Sequence, residues 1–283
     1  MMKNNRALSF FIVTLVYILA TVAGIFTYLA LPFDMWLSLL IADIVATVVT
    51  FVFSVIFKNA SVYDPYWSVA PMVICCAFAI DGVSLSGLVV LVVILLWSIR
   101  LSANWAYTFH GLAYQDWRYT MLCEKTGKLY PLINFVGIHL VPTLIVYACI
   151  LPSIIVIENA PSLNPVSLIF TALSLLGVTL QLVSDRQMHA YRKNRETPFI
   201  RNGFWKHSRH PNYLGEILMW YGVGLYCAIN MPSIWYLVIG AILNNALFLF
   251  VSIPMADNRQ SRKEGFALYK SETHALFPIK KRR

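Results

Sequence analysis

The stretch RNGFWKHSRHPNYLGEILMW, Arg201 to Trp220, is the most polar and basic sequence in a very apolar chain, and it continues without a break into a hydrophobic segment. Its residues that hydrogen-bond or carry charge are Arg209, His210, Asn212, Tyr213 and Glu216. Pro211 suits the first turn of a helix, where a missing N–H costs nothing. The amides after it would form a helix N-terminus able to receive an anion, and Gly215 allows close approach to the backbone. The pattern predicts a functional site at the start of a membrane helix.

The composition is that of a membrane protein. Of the 283 residues, 12% are charged and 59% are hydrophobic, whereas a soluble domain carries about 25% charged residues. Apolar runs of a length that crosses about 30 Å of hydrocarbon predict spans near 8–30, 37–57, 68–81, 86–106, 132–157, 165–185, 213–229 and 233–253. The third span is the shortest. We therefore predict an all-α polytopic membrane helix bundle with seven to eight transmembrane helices, formed by residues 1–283 as a single integral membrane domain.

The distribution of charge favours eight spans. With eight, every Lys and Arg falls on one side of the membrane, from Lys3 and Arg6 to the C-terminal tail, while the opposite loops carry only the acidic residues Asp34, Asp81 and Glu158. The positive-inside rule then places both termini in the cytoplasm. The net charge of +9 is therefore first a signal of topology. Nucleic-acid binding is not expected, because these charges flank membrane spans.

Two polar positions stand out in the N-terminal half. Asp64 lies among aromatic residues in the segment Tyr63–Trp67, which is either an aromatic belt at the interface or part of a site. Arg100 and Asn104 are four residues apart near the end of span four and share a helix face. Arg100 either snorkels to the headgroups or is functional, as intramembrane charges usually are.

A polar stripe and a basic cluster precede the stretch quoted above. Gln181, Asp185, His189 and Arg192 are spaced to lie along one helix face and lead into basic residues that extend to Arg209. Anionic lipid headgroups would explain the cluster. A phosphorylated cofactor would explain it too, with Asp185 and Asn212 as partners for ribose hydroxyls or an amide. The terminal Lys280–Arg283 is predicted to contact acidic lipids. The histidines lack Cys or carboxylate neighbours at metal-ligand spacing, so no metal site is predicted.

Ser208–Glu216 closely resembles the signature of the DUF1295 branch of the steroid 5-alpha-reductase-like membrane family. Further segments that are similar to this branch are Asp64 with Trp67, Trp97–Leu101, Ser184-Asp185 with Arg192, and Ser252–Met255 with the tail that follows. The resemblance implies a bundle of about seven helices. It also implies NADPH bound from the cytosolic side in a cavity under the last helices, here about residues 165–283 after the N-terminal spans 8–106. A lipophilic substrate, steroid-like or another lipid, would enter from the membrane.

The resemblance assigns residues to that site. The cofactor contacts that it implies are Asp185, Arg192, Arg209, His210, Asn212, Tyr213, Asn258, Arg259 and Arg262. Arg100 matches an Arg of the span-four motif. Two features depart from the steroid enzymes: Trp97 stands where they carry a Tyr implicated as proton donor, and their Gln-Glu element has no clear match. Whether Tyr63, Asp64 and Tyr66 occupy the space that the Gln-Glu element takes near the substrate ketone is open.

The chemistry expected is the reduction of a conjugated C=C bond. Hydride adds to the β-carbon of an enone, so negative charge develops on the carbonyl oxygen, and a donor held in a dry site stabilises that enolate. Tyr66, Tyr213 or a protonated Glu216 would serve as donor, and Glu216 would alternatively brace Arg209 or Arg100. The catalytic candidates are thus Tyr66, Asp64, Glu216 and Arg100.

Two other classes of function stay open. An S-adenosylmethionine-dependent methyltransferase, similar to the isoprenylcysteine carboxyl methyltransferases, would share an Arg-His-Pro…Tyr…Gly segment at a helix start. The basic cluster suits the 2′-phosphate of NADPH better than S-adenosylmethionine, which is cationic at sulfur. A non-catalytic lipid-binding protein is the third class. The host membrane is expected to be the bacterial cytoplasmic membrane or the endoplasmic reticulum.

Overall fold

The computed structural model describes residues 5–278, and the regular structure in that part of the chain is helical. The α-helices, numbered in chain order, are α1 Arg6–Ala30, α2 Met35–Ile56, α3 Tyr66–Phe78, α4 Leu85–Thr108, α5 Trp117–Thr126, α6 Tyr130–Ile133, α7 Val141–Asn159, α8 Leu168–Lys193, α9 Pro211–Asn230, α10 Ile239–Leu247, α11 Ile253–Gln260 and α12 Phe266–Glu272. Two π-helical segments, Asn134–Leu140 and Phe248–Ser252, precede α7 and α11.

Six helical stretches among the described residues are long and apolar enough to cross a membrane. They are Arg6–Ala30, Met35–Ile56, Leu85–Thr108, Trp117–Asn159, Pro165–Lys193 and Pro232–Gln260. Six of the predicted spans therefore have a counterpart, and the prediction of an all-α integral membrane bundle is confirmed.

The other two predicted spans correspond to the helices α3 and α9, which are not among these six stretches. The span near 68–81 is α3, whose 13 residues reach about 20 Å at 1.5 Å per residue, short of the hydrocarbon thickness. The span near 213–229 is α9, which has 20 residues and buries most of its side chains, including Glu216. The eight-span topology and the cytoplasmic placement of both ends stay predictions. Lys3 and Lys280–Arg283, on which part of that argument rests, lie outside the described residues.

The chain divides into two compact units. Unit 1 contains the chain up to Ala77 together with Trp97–Leu151, and unit 2 contains Phe78–Leu96 and the chain from Pro152 onward. Each unit is thus assembled from two separate stretches of sequence.

Unit 1 is built on α1 and α2 and on a tightly capped turn. The Asn5 side chain accepts the amide of Leu8 at the start of α1, an N-cap that satisfies an otherwise unpaired donor. Asn59 caps the short turn Ala60–Tyr63, and its Nδ2 donates to the Leu112 carbonyl at 2.7 Å. This turn places Tyr63, and Tyr66 just beyond it, in the core of the unit.

Unit 2 is organised by the close packing of α8 on α9. A Cβ atom on Gly215 would lie 2.6 Å from the Gly177 carbonyl oxygen and 2.7 Å from Gln181 Cγ. A Cβ atom on Gly177 would lie 2.7 Å from the Met219 amide nitrogen. Small residues at both positions therefore let the two backbones touch, as at many helix interfaces in membranes. Pro211 occupies the first position of α9, as its sequence context predicts.

Candidate functional site

The tail of the chain pairs with the loop that precedes α9. The Arg209 amide donates to the His274 carbonyl at 3.1 Å, and the His210 amide donates to the Ala275 carbonyl at 3.0 Å. The Ser208 hydroxyl also donates to the Ala275 carbonyl, at 3.1 Å. The segment just before α9 is therefore held by hydrogen bonds to the tail. Ser208 and Ala275, for example, are 67 residues apart in the chain.

A buried ionic cluster lies behind this pairing. Asp257, on α11, is 3% exposed. Its Oδ2 is 3.1 Å from Arg209 Nη2, and its Oδ1 is 3.3 Å from Arg209 Nε and 3.0 Å from His210 Nε2. Arg209 Nη1 donates to the carbonyl of Thr273 in the tail. The forked guanidinium thus joins α11, the tail and the start of α9 through charge-assisted bonds.

The cluster changes how two predicted cofactor residues are interpreted. Arg209 and His210 were assigned to the cofactor by the resemblance, yet both are buried and directed at Asp257. Lys270 Nζ adds a second cation beside Arg209, at 3.5 Å from Asp257 Oδ2. In this structure Arg209 and His210 therefore hold the site together, and the charge of Arg209 is matched by Asp257 inside the protein.

Aromatic rings fix the orientation of Tyr213. Its ring stacks on the His210 ring at 5.1 Å with an interplanar angle of 4°, and it packs on Phe248 at 4.8 Å.

A chain of hydrogen bonds joins the tail to α8. The Tyr269 hydroxyl donates to the Trp205 carbonyl, and the Trp205 indole donates to the Ser184 carbonyl at 3.1 Å. Burial raises the pKa of Tyr269 to about 12, so its hydroxyl stays protonated and keeps donating at neutral pH.

Polar atoms without a partner occur where α8 meets the first turns of α9. Gln181 is 1% exposed, and neither its Oε1 nor its Nε2 has a hydrogen-bond partner among residues 5–278. Asn212 Oδ1 and Ser184 Oγ are buried atoms in the same condition. Leaving a buried polar group unpaired costs about 1–3 kcal/mol, and most such groups in native proteins are satisfied. These three side chains are therefore donors and acceptors available to a ligand in unit 2.

A basic cluster is formed by residues from two parts of unit 2. Lys263 follows α11, and its pKa is lowered by partial burial and by the positive charges of Arg195 and Arg259. Arg195 comes from the segment after α8 and belongs to the basic residues that follow Arg192 in the sequence. Lys263 is thus close enough to Arg195 and Arg259 for their charges to act on it, and positive charges grouped in this way attract a polyanion.

The remaining predicted cofactor residues are distributed along a gradient of exposure. On α8, the stripe runs from the buried Gln181 through the partly buried Asp185 and His189 to the exposed Arg192 in the last turn. Asn258, Arg259 and Arg262 are exposed on α11 and just after it. The single helix α8 therefore carries the predicted stripe from the interior to the surface.

Glu216 does not brace Arg209. It is 5% exposed, and its Oε1 accepts a hydrogen bond from the Trp220 indole at 2.9 Å, while the hydrogen bonds of the Arg209 guanidinium go to Asp257 and to the tail. One of the two structural roles considered for Glu216 is thus excluded.

Asp64, Tyr66 and Arg100 belong to unit 1. Asp64 Oδ1 accepts a hydrogen bond from Tyr119 at 2.6 Å. Burial raises the pKa of Asp64 from 3.8 to about 6, although Arg118 and the Tyr119 hydrogen bond act in the opposite direction. Arg100 is partly buried on α4. Asp64 is therefore partly buried and hydrogen-bonded, and its functional role stays a prediction.

The partner of Tyr66 was missed from the sequence. The Tyr66 hydroxyl donates to Asp43 Oδ1 at 2.8 Å, and both residues are buried. Asp43 lies in the middle of the apolar α2, where an ionisable residue by itself signals function. Asp257, Lys263 and the unpaired Gln181 amide were also absent from the predicted site. Asp43 was the most accessible of these to sequence reasoning, as a single charge inside a predicted span.

Comparison with known proteins supports one family. The uncharacterized protein C594.04c of Schizosaccharomyces pombe (strain 972 / ATCC 24843) is 26% identical over 207 residues, which are 62% of this chain and 60% of that protein. This chain thus spans less than two thirds of the length of that relative. No solved structure matches. The family described as "Protein of unknown function (DUF1295)" matches residues 50–273. The protein therefore belongs to the DUF1295 family.

Proposed function

We propose that this protein is a membrane reductase that binds NADPH in unit 2 and reduces the conjugated C=C bond of a lipophilic enone. The observation that carries the proposal is the set of unpaired buried polar atoms of Gln181, Asn212 and Ser184 at the junction of α8 and α9. A site that leaves these atoms unpaired when empty gains hydrogen bonds when a polar ligand arrives.

The basic cluster supports a phosphorylated cofactor in particular. Arg195, Arg259 and Lys263 would hold the phosphates, with Arg192 and Arg262 exposed on the same two parts of the chain. NADPH carries a 2′-phosphate that NADH lacks, whereas S-adenosylmethionine has no phosphate at all. The cluster therefore favours NADPH over both alternatives.

The fixed elements of unit 2 supply the positioning. Asp257 with Arg209 and His210 locks the start of α9, and His210 and Phe248 sandwich the Tyr213 ring. Asp185 and Asn212 would bind ribose hydroxyls or an amide. NADPH, when bound, supplies the hydride. Within unit 2, the proton donor that stabilises the enolate would be Tyr213 or Glu216, because preorganised donors dominate this kind of catalysis.

The proposal is tested by the NADPH affinity of purified protein carrying Gln181→Leu. Leucine has a similar volume and removes the two unpaired amide atoms, so the unliganded variant should unfold at the same or a higher temperature. Its dissociation constant for NADPH should rise by at least about ten-fold, which is about 1.4 kcal/mol.

A variant that removes one positive charge tests whether the basic cluster binds the 2′-phosphate of NADPH. Lys263→Gln should weaken NADPH binding more than NADH binding, because only NADPH has the 2′-phosphate. Arg201→Gln is the matched control, since it removes one positive charge whose ion pair is with Glu272 at 3.1 Å. Unchanged NADPH affinity in both Gln181→Leu and Lys263→Gln would overturn the proposed site.

A further inference from the structure

Unit 1 contains a small cavity whose size and lining fit one water molecule. Its volume is about 10 Å³, which is about the room that a single water needs. Three polar residues line it, namely Asp43, Tyr66 and Thr143, and a buried water makes about three hydrogen bonds. The rest of the lining is apolar and comes from Trp67, Ala70, Pro71, Ile74, Val146 and Ile150.

The hydrogen bonding of Asp43 is incomplete. Its Oδ1 accepts the Tyr66 hydroxyl at 2.8 Å, but Oδ2 has no partner among the described residues, and no cation there forms an ion pair with it. A buried carboxylate without a charged partner is costly, so burial favours the neutral carboxyl group. That group carries one O–H donor. Because Oδ1 accepts from Tyr66, the proton is on Oδ2 and needs an acceptor.

Buried hydroxyl groups connect Tyr66 with the other side of the cavity. Thr47 lies within hydrogen-bonding reach of Tyr66. Thr143 Oγ1 is 2.9 Å from Thr47 Oγ1 and 2.8 Å from the Tyr63 hydroxyl. All four residues are buried.

The direction of these hydrogen bonds follows from the number of protons. Each hydroxyl donates one proton and accepts up to two. Tyr66 gives its proton to Asp43, so Thr47 donates to Tyr66 and Thr143 donates to Thr47. Tyr63 then donates to Thr143. This assignment leaves one lone pair of Thr143 for a further donor.

We infer that the cavity binds one water molecule, which accepts the proton of Asp43 Oδ2 and donates to Thr143. The water closes a ring of hydrogen bonds that runs from Asp43 through the water, Thr143, Thr47 and Tyr66 and back to Asp43. Every group in the ring donates once and accepts at least once, and hydrogen bonds in such chains strengthen one another. The inference concerns unit 1 alone and does not rest on the proposed binding of NADPH.

The ring gives Asp43 a function as a proton store. When each donor passes its proton to the next group, every group loses one O–H bond and gains another, and the proton of Asp43 moves from Oδ2 to Oδ1. No separated charge is created in the apolar surroundings. The ring therefore keeps Asp43 neutral within α2 and makes its proton exchangeable, a role typical of ionisable residues inside membranes.

The first test is a structure of the intact protein in lipid nanodiscs at a resolution that shows ordered water. One density peak is expected within hydrogen-bonding distance of both Asp43 Oδ2 and Thr143 Oγ1. Infrared spectroscopy at neutral pH reports the proton. The band of a protonated carboxyl group is expected in the wild type and not in Asp43→Asn, and it should shift in D2O.

Three variants assign the effect to the water. Asp43→Asn should keep the density peak, because its amide oxygen accepts from Tyr66 and its nitrogen donates to the water. Ala70→Val adds two methyl groups to the cavity lining. It should displace the water and move the carboxyl band to higher frequency, because the O–H group loses its acceptor. Ala77→Val is the matched control, since Ala77 is exposed on the same helix and should leave peak and band unchanged.

Thr143→Val replaces Ala70→Val if that variant does not fold, because it removes the acceptor of the water at similar volume. Its carboxyl band should move in the same direction. The inference is overturned by an empty cavity in the folded wild-type protein, or by a carboxyl band that the folded variant leaves unchanged. A wild-type spectrum without the band of a protonated Asp43 also overturns it, since an ionised carboxylate has no proton to give to the ring.

Discussion

Asp257 divides its two carboxyl oxygens between Arg209 and His210, and it is 3% exposed. At the residue scale this cluster stabilises the site, because removing Arg209 or Asp257 leaves the other as a buried charge without compensation. It also explains why a histidine and an arginine are adjacent at the start of α9.

The variant Asp257→Ala is expected to destabilise the protein by about 3–5 kcal/mol, the range for breaking a buried ion pair. Thermal unfolding in detergent measures the effect. Asn258→Ala, at the exposed neighbouring position, is the control and should stay within about 0.5 kcal/mol of wild type.

The double variant Arg209→Met with Asp257→Leu removes both charges. It should lose less stability than either single change, because neither buried charge of the Arg209–Asp257 pair is left without the other. Additive losses would contradict the view that these residues act as a pair.

Asp64 gives a residue-scale prediction of pH dependence. Its pKa is about 6 in the folded protein against 3.8 as the usual value, chiefly because of burial. The folded state therefore binds the proton more tightly, and the resulting stabilisation is complete below about pH 4 and is lost as the pH rises through about 6.

Asp64→Asn stays neutral at every pH and lacks this dependence. The unfolding temperature of wild type, measured relative to that of Asp64→Asn, should fall between about pH 4 and pH 6 and level off above that window. A difference that rises with pH over the same window would mean that the folded protein favours the charged carboxylate.

At the scale of elements, the contact of α8 with α9 determines where the unpaired polar atoms lie. Gly215 and Gly177 allow the backbones to touch, and Gln181 lies directly against Gly215. A side chain at Gly215 would separate the helices and displace Gln181. The geometry of the proposed site therefore depends on glycine at these positions.

Gly215→Ala should destabilise the protein by about 1–3 kcal/mol through overpacking, because its Cβ would approach the Gly177 carbonyl to 2.6 Å. Gly224→Ala on the same helix is the matched control. Its Cβ would meet Val238 at 3.6 Å, an ordinary contact, so its stability should be unchanged or slightly higher. Equal unfolding temperatures for the two variants would show that α8 and α9 pack less closely than described.

Sequence periodicity and hydropathy predicted most elements correctly, and the reason is physical. Long apolar runs form helices in a membrane, because a helix pairs the backbone groups of the run within the run itself. The same argument is weaker for α3 and α9, which are not among the six helical stretches that are long and apolar enough to cross a membrane. The helix α3 has only 13 residues, and α9 carries polar residues such as Asn212 and Glu216 in its first turns.

The sequence predicted local structure around the candidate site, but it did not predict the contacts between distant residues. The local pattern placed Pro211 at the helix start and the polar stripe on one face of α8. It did not reveal that Arg209 and His210 are directed at Asp257, 48 and 47 residues later, or that Tyr66 meets Asp43. Pairings between distant residues depend on the packing of the whole unit and leave no periodic signal in the sequence.

At the scale of the whole molecule, the protein is an integral membrane protein with two compact units, and unit 2 contains both the unpaired polar atoms and the basic cluster. The central claim is that unit 2 is built for NADPH. The claim distinguishes the reductase from a methyltransferase and from a non-catalytic lipid-binding protein.

The most direct test is the thermal stabilisation of the detergent-purified wild-type protein by NADPH, NADH and S-adenosylmethionine at equal concentrations. A ligand that binds only the folded state stabilises it by about 2.7 kcal/mol at a hundred times its dissociation constant. We expect the largest rise in unfolding temperature with NADPH, a smaller one with NADH and none with S-adenosylmethionine. Stabilisation by S-adenosylmethionine alone, or by none of the three in a folded sample, would contradict the proposed reductase.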